Sequence, residues 1–362
     1  MKPIAIAEIQ DIVRSGASLA PRGAGSKPAL IFRDGFSMVE TGGLSGILEY
    51  EPQEFTFTAL AGTPLAEVEQ VLAGHGQFLP FNPPLVEAGA TLGGCVASGL
   101  SGPGRYRYGG LRDFLLGVRF VDAQGQLVSS GGKVVKNAAG FDLPKLMIGS
   151  LGQYGILVEL SFKVFPHPEA YTTLRVEYPA LQNALEALTR LTQQPFELFA
   201  LDLLPQVEGA RLHVRLGGKP ASFPERIKHL QRFLERAEFS MLDGEPEAEL
   251  WRAETEFSWA AADYNLVKVP LTPRRLPALD EKLAAAGAVR HYSVGANQAW
   301  IAWPGEIADL DDLLAGLDLA GLLVRGADHN PQLGVRSGEE FARRVKQALD
   351  PHGKFPGAFN AA

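Results

Sequence analysis

The chain has one cysteine, Cys95, in 362 residues. That excludes an internal disulfide and any iron–sulfur cluster built from its own thiolates. It also lacks a basic excess. Its 34 Lys and Arg against 41 Asp and Glu leave a formal charge of −7, whereas a nucleic-acid surface usually shows surplus positive charge. No apolar run reaches membrane-spanning length, and the start Met1-Lys2-Pro3 lacks the apolar core of a secretion signal. The expected location is the cytoplasm, with any membrane contact made through partners. The seven histidines (His75, His167, His213, His229, His291, His329 and His352) are scattered, without H-x-H or H-x-x-x-H spacing, so no metal site is expected. Two nucleotide motifs are missing as well. Gly132-Lys133 is followed by Val134, which breaks G-x-x-x-x-G-K-[ST], and no G-x-G-x-x-G opens a helix near the N-terminus. A Rossmann-type dinucleotide site is thereby excluded.

Glycine, in contrast, is concentrated. Of 40 glycines, 26 lie in residues 1–165, so phosphate-loop chemistry belongs to the N-terminal part. Residues 91–113 hold seven: Gly93, Gly94, Gly99, Gly102, Gly104, Gly109 and Gly110. Glycine permits positive φ and close main-chain approach to a ligand, and successive N–H groups form anion-binding nests. A long surface loop stiffened by Pro103 is the competing reading. A second loop, Pro21-Arg-Gly-Ala-Gly-Ser-Lys27, brackets glycines and a hydroxyl with two cations, which suits a phosphate. A third, Gly149-Ser-Leu-Gly-Gln-Tyr-Gly155, runs into an apolar strand, 156–164.

Periodicity supplies the rest. Residues 4–16 read as an amphipathic helix ended by Gly16, and 47–50 and 55–60 as strands. Thr63 is expected as N-cap and Pro64 as the first residue of a helix closed by Gly74. Residues 115–122 and 126–129 read as a hairpin around Gln124-Gly125, 143–148 as a short helix, and Pro166-His167-Pro168 as a domain boundary. From 171 the pattern changes to strand 171–178, helix 181–194, strands 198–204 and 210–216, and helix 224–238. After an irregular stretch come strand 264–269, helix 275–287, strands 289–294 and 298–303, helix 306–316 and strand 320–325. Twice the order is close to β-α-β-β-α-β, the ferredoxin-like unit; two side by side would make one antiparallel sheet backed by helices. A closing helix covers 339–349.

Several runs carry a resemblance: Gly46-Ile-Leu-Glu-Tyr-Glu-Pro52, Ala61-Gly-Thr-Pro-Leu-Ala-Glu67, Arg112-Asp-Phe-Leu-Leu-Gly117 and Lys136-Asn-Ala-Ala-Gly-Phe-Asp-Leu143. With the glycine loops, they make residues 21–27, 47–65, 91–122 and 131–166 similar to the FAD domain of the vanillyl-alcohol oxidase/p-cresol methylhydroxylase (PCMH) family. Within it they most resemble the FAD-binding subunits of bacterial glycolate oxidases (glycolate dehydrogenases). The resemblance implies an α+β chain: a two-subdomain PCMH-type FAD-binding domain over 1–168, a cap of ferredoxin-like units over 169–330, and a C-terminal helix and tail, 331–362, packing back on the FAD domain. It implies FAD contacts from Arg22, Gly23, Ala24, Gly25, Ser26 and Lys27, from Thr91, Gly93, Gly94, Ala97, Ser98 and Gly102, and from Gly152, Gly155 and Ile156. Phe81-Asn-Pro-Pro84 would bring Pro84 beside the flavin ring. Arg112 and Asp113 would pair to brace their loop. Relatives with covalent flavin often carry a histidine in the first loop; here Ser26 and Lys27 stand there, so non-covalent FAD is expected. The family's tail has an asparagine before its Pro-Gly, and this chain has Phe355, which leaves that flavin contact unsupplied. Cys95 reads as a small core residue or a reactive thiol, and Lys136-Asn137 as a cleft or an interface element.

Oxidation of a 2-hydroxy acid needs a hydride acceptor, a cation for the carboxylate and a base for the hydroxyl proton. No histidine cluster supplies the base; His291 and His329 are the candidates, each with a structural role as the alternative, and Arg325 is a candidate cation. The leading expectation is therefore an FAD-binding subunit of a multi-subunit glycolate oxidase. It would oxidise glycolate or D-lactate, with a second flavin subunit and an iron–sulfur subunit as partners. The alternatives are a self-sufficient 2-hydroxy acid dehydrogenase, a flavin-containing structural scaffold, and a UDP-sugar reductase.

Overall fold

The computed structural model describes residues 1–31, 35–132, 142–235, 239–326 and 330–357. Lys136, Asn137 and His329 lie outside the described residues. The chain divides into two compact units. The first combines residues 1–101, 110–167 and 336 onward; the second combines 102–109 and 168–335.

The first unit opens with α1 (Ile6–Arg14), β1 (Leu19–Arg22), β2 (Ser37–Glu40), β3 (Ile47–Glu51), β4 (Thr56–Leu60), α2 (Leu65–Ala73), β5 (Gln77–Phe78) and α3 (Leu92–Ser98). The short α4 (Arg105–Tyr108) belongs to the second unit. The first unit resumes with β6 (Leu115–Val121), β7 (Leu127–Gly131), α5 (Leu143–Met147), β8 (Ile156–Lys163) and β9 (Phe165–Pro166). Strands β1 and β2 pair in parallel, and an antiparallel sheet runs in the order β3-β4-β8-β6-β7. The expected hairpin is present. The Asp122 carboxylate accepts from Gln124 N at 2.9 Å and Gln126 N at 2.8 Å, and Gly125 takes the positive φ the turn demands.

Two local expectations fail for physical reasons. Pro64, not Thr63, occupies the N-cap position of α2. Thr63 instead spends its hydroxyl on the strand end, donating to Leu60 O at 2.7 Å and accepting from Gly46 N at 2.9 Å. The central glycine run is not wholly loop: Leu92–Ser98 is helical, because tight packing at this site outweighs the low helix propensity of glycine.

The second unit contains β10 (Ala170–Tyr178), α6 (Leu181–Thr192), β11 (Ala200–Pro205), β12 (Ala210–Gly218), α7 (Phe223–Leu234), β13 (Ser240–Asp243) and α8 (Gly244–Glu256). There follow β14 (Asn265–Pro270), α9 (Leu276–Ala285), β15 (Val289–Ser293), β16 (Gln298–Trp303), α10 (Ile307–Gly316), β17 (Ala320–Arg325) and β18 (Gln332–Gly334). They form one nine-stranded antiparallel sheet, β13-β10-β12-β11-β15-β16-β14-β17-β18. Strands β13-β10-β12-β11 are the 4-1-3-2 order of a ferredoxin-like unit, and β15-β16-β14-β17 are the same order reversed. The halves meet where Leu203 faces Tyr292. The expected pair of units is therefore present. Its unread parts are β13 and α8, inside the stretch read as irregular: β13 is short and exposed, and the buried residues of α8 are only Glu247 and Trp251, too few for an apolar stripe.

The last helix, α11 (Glu339–Leu349), leads into a buried clamp on the first unit. Asp350 is 2 % exposed. Its carboxylate accepts from Lys346 Nζ at 2.6 Å, Lys354 N at 2.9 Å and Phe355 N at 2.8 Å. Lys346 also donates to Gln153 O at 2.7 Å and Phe355 O at 2.9 Å. Phe355, in the place of the family's asparagine, is a core residue packed with Ile9, Val13, Leu19 and Ile156. Asp350→Ala should destabilise the protein by roughly 2–3 kcal/mol, since it leaves the part-buried Lys346 ammonium without its counter-charge and the N–H groups of Lys354 and Phe355 without their acceptor; a urea midpoint unchanged from wild type would refute this.

Candidate functional site

The first unit contains a cleft open to solvent, enclosing about 740 Å³ when the open solvent at its mouth is counted. Three segments wall it. The first is the turn after β1, Arg22 to Lys27, backed by Pro21 and closed by Leu30 and Ile31. The second is α3 with its N-cap, contributing Thr91, Gly93, Gly94, Ala97 and Ser98. The third is the turn before β8, with Ser150, Leu151, Gly152 and Gly155. Thr41, Ala61 and Leu157 complete the lining. The structure thus brings thirteen expected residues to one cavity: Arg22, Gly23, Ala24, Gly25, Ser26, Lys27, Thr91, Gly93, Gly94, Ala97, Ser98, Gly152 and Gly155. Three others stand elsewhere. Pro84 is buried in the first unit away from the lining, Ile156 is in its hydrophobic core, and Gly102 belongs to the second unit.

The segments differ in what they offer an anion. The first four N–H groups of α3 are occupied. Leu92 N donates to Thr63 O at 2.9 Å, Gly93 N to Ala61 O at 2.7 Å and Cys95 N to Thr91 O at 2.9 Å, while Gly94 N reaches the Thr91 hydroxyl at 3.2 Å. A nest at Gly93-Gly94 is thereby corrected: these glycines serve close approach. A Cβ on Gly93 would lie 2.8 Å from Ala61 O, and one on Gly23 would collide with the Thr91 hydroxyl. The first loop is the opposite case. Among the described residues, the N–H groups of Ala24, Gly25 and Ser26 have no acceptor, and the Arg22 guanidinium has no hydrogen bond or ion pair. Lys27, 6 % exposed, places its ammonium 3.3 Å from Ser26 Oγ. Unpaired donors with two cations suit a doubly charged pyrophosphate.

Neighbouring groups are structural. Cys95 is buried, and burial pushes its thiol up to about 12, so it is not a thiolate near neutrality. Arg112 and Asp113 form no ion pair among the described residues; the Asp113 carboxylate instead accepts from Gly110 N at 2.9 Å.

The second unit carries its chemistry on one face of the large sheet. Opposed residues of an antiparallel pair share a face, so the strand registers define two transverse rows. One is Arg175, His213, Asp202, Ser293 and Gln298; the other includes Arg211, His291, Trp300 and Lys268. Asp202 is 1 % exposed and accepts from Ser293 Oγ at 2.9 Å and Val294 N at 3.2 Å. Burial, then the nearby Glu254 carboxylate, raise its carboxyl to about 8. Burial lowers His213 to about 3, and neither ring nitrogen has a partner among the described residues, so this histidine is neutral and inert. Lys268 is lowered to about 8 by burial and then by Arg105 of α4; it has no ion pair among the described residues. Arg325, by contrast, is tied to the carbonyls of Ala260, Ala261 and Tyr264. Sequence reasoning missed Lys268 and Asp202, since a lone Lys or Asp in an alternating strand gives no sign of what covers it.

A family model described as "FAD binding domain" matches residues 2–131. This segment belongs to that family, in its PCMH-type form, and FAD is its cofactor. Over 156 residues, 43 % of the chain, it is 45 % identical to "Glycolate oxidase subunit GlcE" of Escherichia coli, covering 44 % of that protein. It is 25 % identical to "D-lactate dehydrogenase [cytochrome] 1, mitochondrial" of Saccharomyces cerevisiae, over 62 % of this chain and 42 % of that one. A "D-2-hydroxyglutarate dehydrogenase" of Xanthomonas citri is 24 % identical over 97 % of this chain and 86 % of its own. The matches thus span less than half of the first two relatives. Solved alkyldihydroxyacetonephosphate synthase structures share the fold over 100 % of this chain and 77 % of theirs, with a TM-score of 0.70 at 16 % identity. Among the described residues, no helix is long and apolar enough to cross a membrane.

Arg22→Met should weaken FAD retention roughly ten- to hundredfold, read as the flavin-to-protein ratio after dialysis; full retention would remove Arg22 from the site. Asp202 makes a separate pH prediction. Its folded pKa lies above its unfolded value, so its contribution to stability falls as pH rises from about 4 to about 8. Asp202→Asn keeps the acceptor oxygen without the charge, so its melting temperature relative to wild type should climb steadily from about pH 4 to about pH 8 and level off above that. Parallel curves would refute the shift.

Proposed function

We propose that the chain is an FAD-dependent oxidoreductase that converts a small 2-hydroxy acid, glycolate or D-lactate, to the 2-oxo acid. It would act as one subunit of a cytoplasmic complex with a second flavin subunit and an iron–sulfur subunit. The observation that carries the reading is the 45 % identity to a glycolate oxidase subunit over 156 residues, and the cavity walled by the three glycine-bearing segments supports it. Arg22, Lys27 and the N–H groups of Ala24 to Ser26 would hold the pyrophosphate. Gly23, Thr91, Gly93, Gly94, Ala97 and Ser98 would shape the wall beside it, and Gly152 and Gly155 would bring main chain to the rest of the cofactor. The first loop carries Ser26 and Lys27 where a covalent attachment would use histidine, so FAD binds non-covalently. Bound FAD supplies a two-electron, hydride-accepting centre. Lys268 and Arg105 would hold the substrate carboxylate: two neighbouring cations, one desolvated and neither neutralised by a carboxylate, are incomplete without an anion.

A second reading, a dehydrogenase that needs no partner, is favoured by the His291–Glu254 pair, at 2.8 Å. An anaerobic visible spectrum before and after glycolate or D-lactate decides between them. Bleaching means that this chain oxidises the acid itself. A band that persists with both acids and bleaches with dithionite moves the substrate site to a partner. Acid precipitation should release all flavin into the supernatant; yellow protein in the pellet would overturn non-covalent binding.

A further inference from the structure

We propose that the edge of the large sheet holds a binding site for a small free carboxylate, built by Ser240, Arg175 and His213 on the neighbouring strands β13, β10 and β12. Lys268 stands on β14, well along the sheet, and the site does not depend on which acid the flavin oxidises. Ser240 faces Arg175, and Arg175 faces His213, in the strand registers, so the three side chains form one row on one face. The row runs inward from solvent: Ser240 is exposed, Arg175 half-buried and His213 only 2 % exposed. Its polar groups are unmet. Arg175 makes no hydrogen bond or ion pair among the described residues, and its Nε is sealed from solvent. Both ring nitrogens of His213 are likewise sealed and without a partner. Native interiors leave few such atoms without cause, and here three of them meet on two facing residues.

Charge selects the ligand. The carboxylates around this face are already engaged: Glu177 with Arg211, Glu247 with Arg215 and Thr173, and Glu254 with His291. Arg211 and Arg215 are thereby offset, and Arg175 is the uncompensated charge of the row among the described residues. Burial, then the neighbouring Arg211 charge, lowers the Arg175 guanidinium, with Glu177 opposing them; an anion beside it favours its charged form again. One surplus positive charge matches a monoanion, whereas a dianion would add a negative charge beside three carboxylates. The planar fork of a guanidinium also matches the two oxygens of a carboxylate. His213, inert as an acid or base, still carries one N–H, which its neutral ring can place on whichever nitrogen faces the ligand. A carboxylate in this row accepts from Arg175 and His213, with the Ser240 hydroxyl as a donor at the open end. Trp251 stands edge-on to the His213 ring, 6.3 Å between centroids, which favours a short acid entering from the sheet edge.

Acetate is the probe, because it has no hydroxyl to oxidise, and the protein is FAD-loaded so that the cations of the first loop are occupied. In ¹³C-histidine spectra, acetate should shift the His213 resonance saturably. That resonance is identified by its absence in His213→Gln or, if this variant does not fold, as a signal that does not titrate between about pH 8 and about pH 5, since burial holds the ring at about 3. Arg175→Met should weaken acetate binding at least about tenfold, the loss of one charge-assisted hydrogen bond. Arg175→Lys keeps the charge without the fork and should weaken it less. Lys268→Met should leave the His213 shift in place, and sulfate at matched ionic strength should produce none. A His213 resonance that acetate does not move means that water alone meets these atoms, and it overturns the proposal. So does a shift that saturates equally well in both Arg175 variants, one that sulfate reproduces, or one that Lys268→Met abolishes.

Discussion

The contact of α3 with the chain at Ala61 is the constraint on which the first unit depends. Gly93 N donates to Ala61 O at 2.7 Å, and a Cβ on Gly93 would crowd the same oxygen at 2.8 Å. Only glycine lets the helix sit that close. The helix then places Thr91 against Gly23, and it holds the third loop through Gly149 N to Val96 O at 3.0 Å and Leu151 N to Ala97 O at 2.9 Å. All three cavity walls are referenced to one seven-residue helix. A main chain so closely packed cannot also offer its donors, which is why anion recognition falls to the loop after β1.

Much of this was legible in the sequence, unevenly. Loops with glycine beside cations announce a phosphate site because few other demands produce that composition, and the residues of 22–27 do share one wall. The same glycines misled at 92–98, where their role is steric and the backbone is helical. The β-α-β-β-α-β repeat could be read from alternation and helical spacing. The strand order, and the meeting of the two halves at Leu203 and Tyr292, could not, because register across strands leaves no mark within either strand. Helix α8 escaped notice for a related reason: its inward side carries Glu247, Trp251 and Glu254, which bond to Arg215, Thr173 and His291. A helix packed through polar groups has no apolar period to find.

The polar face of the second unit shows how burial creates chemistry from ordinary residues. Asp202 and His213 are cross-strand neighbours, and desolvation drives their proton affinities past each other, the acid up to about 8 and the base down to about 3. Both are uncharged near neutrality, so the sheet covers them without an ion pair. Lys268 and His291 lie one row away, each only partly buried.

The tail of the chain has a consequence for the order of assembly. Phe355 fills the core around Ile9, Leu19 and Ile156, and Lys346 grips the carbonyl of Gln153 beside the cavity. The whole of residues 168–335 is threaded between these partners. During synthesis, the ribosome must deliver the second unit in full before the first can close its core. A nascent chain stalled inside the second unit therefore carries an open, sticky half-core that a chaperone is suited to shield.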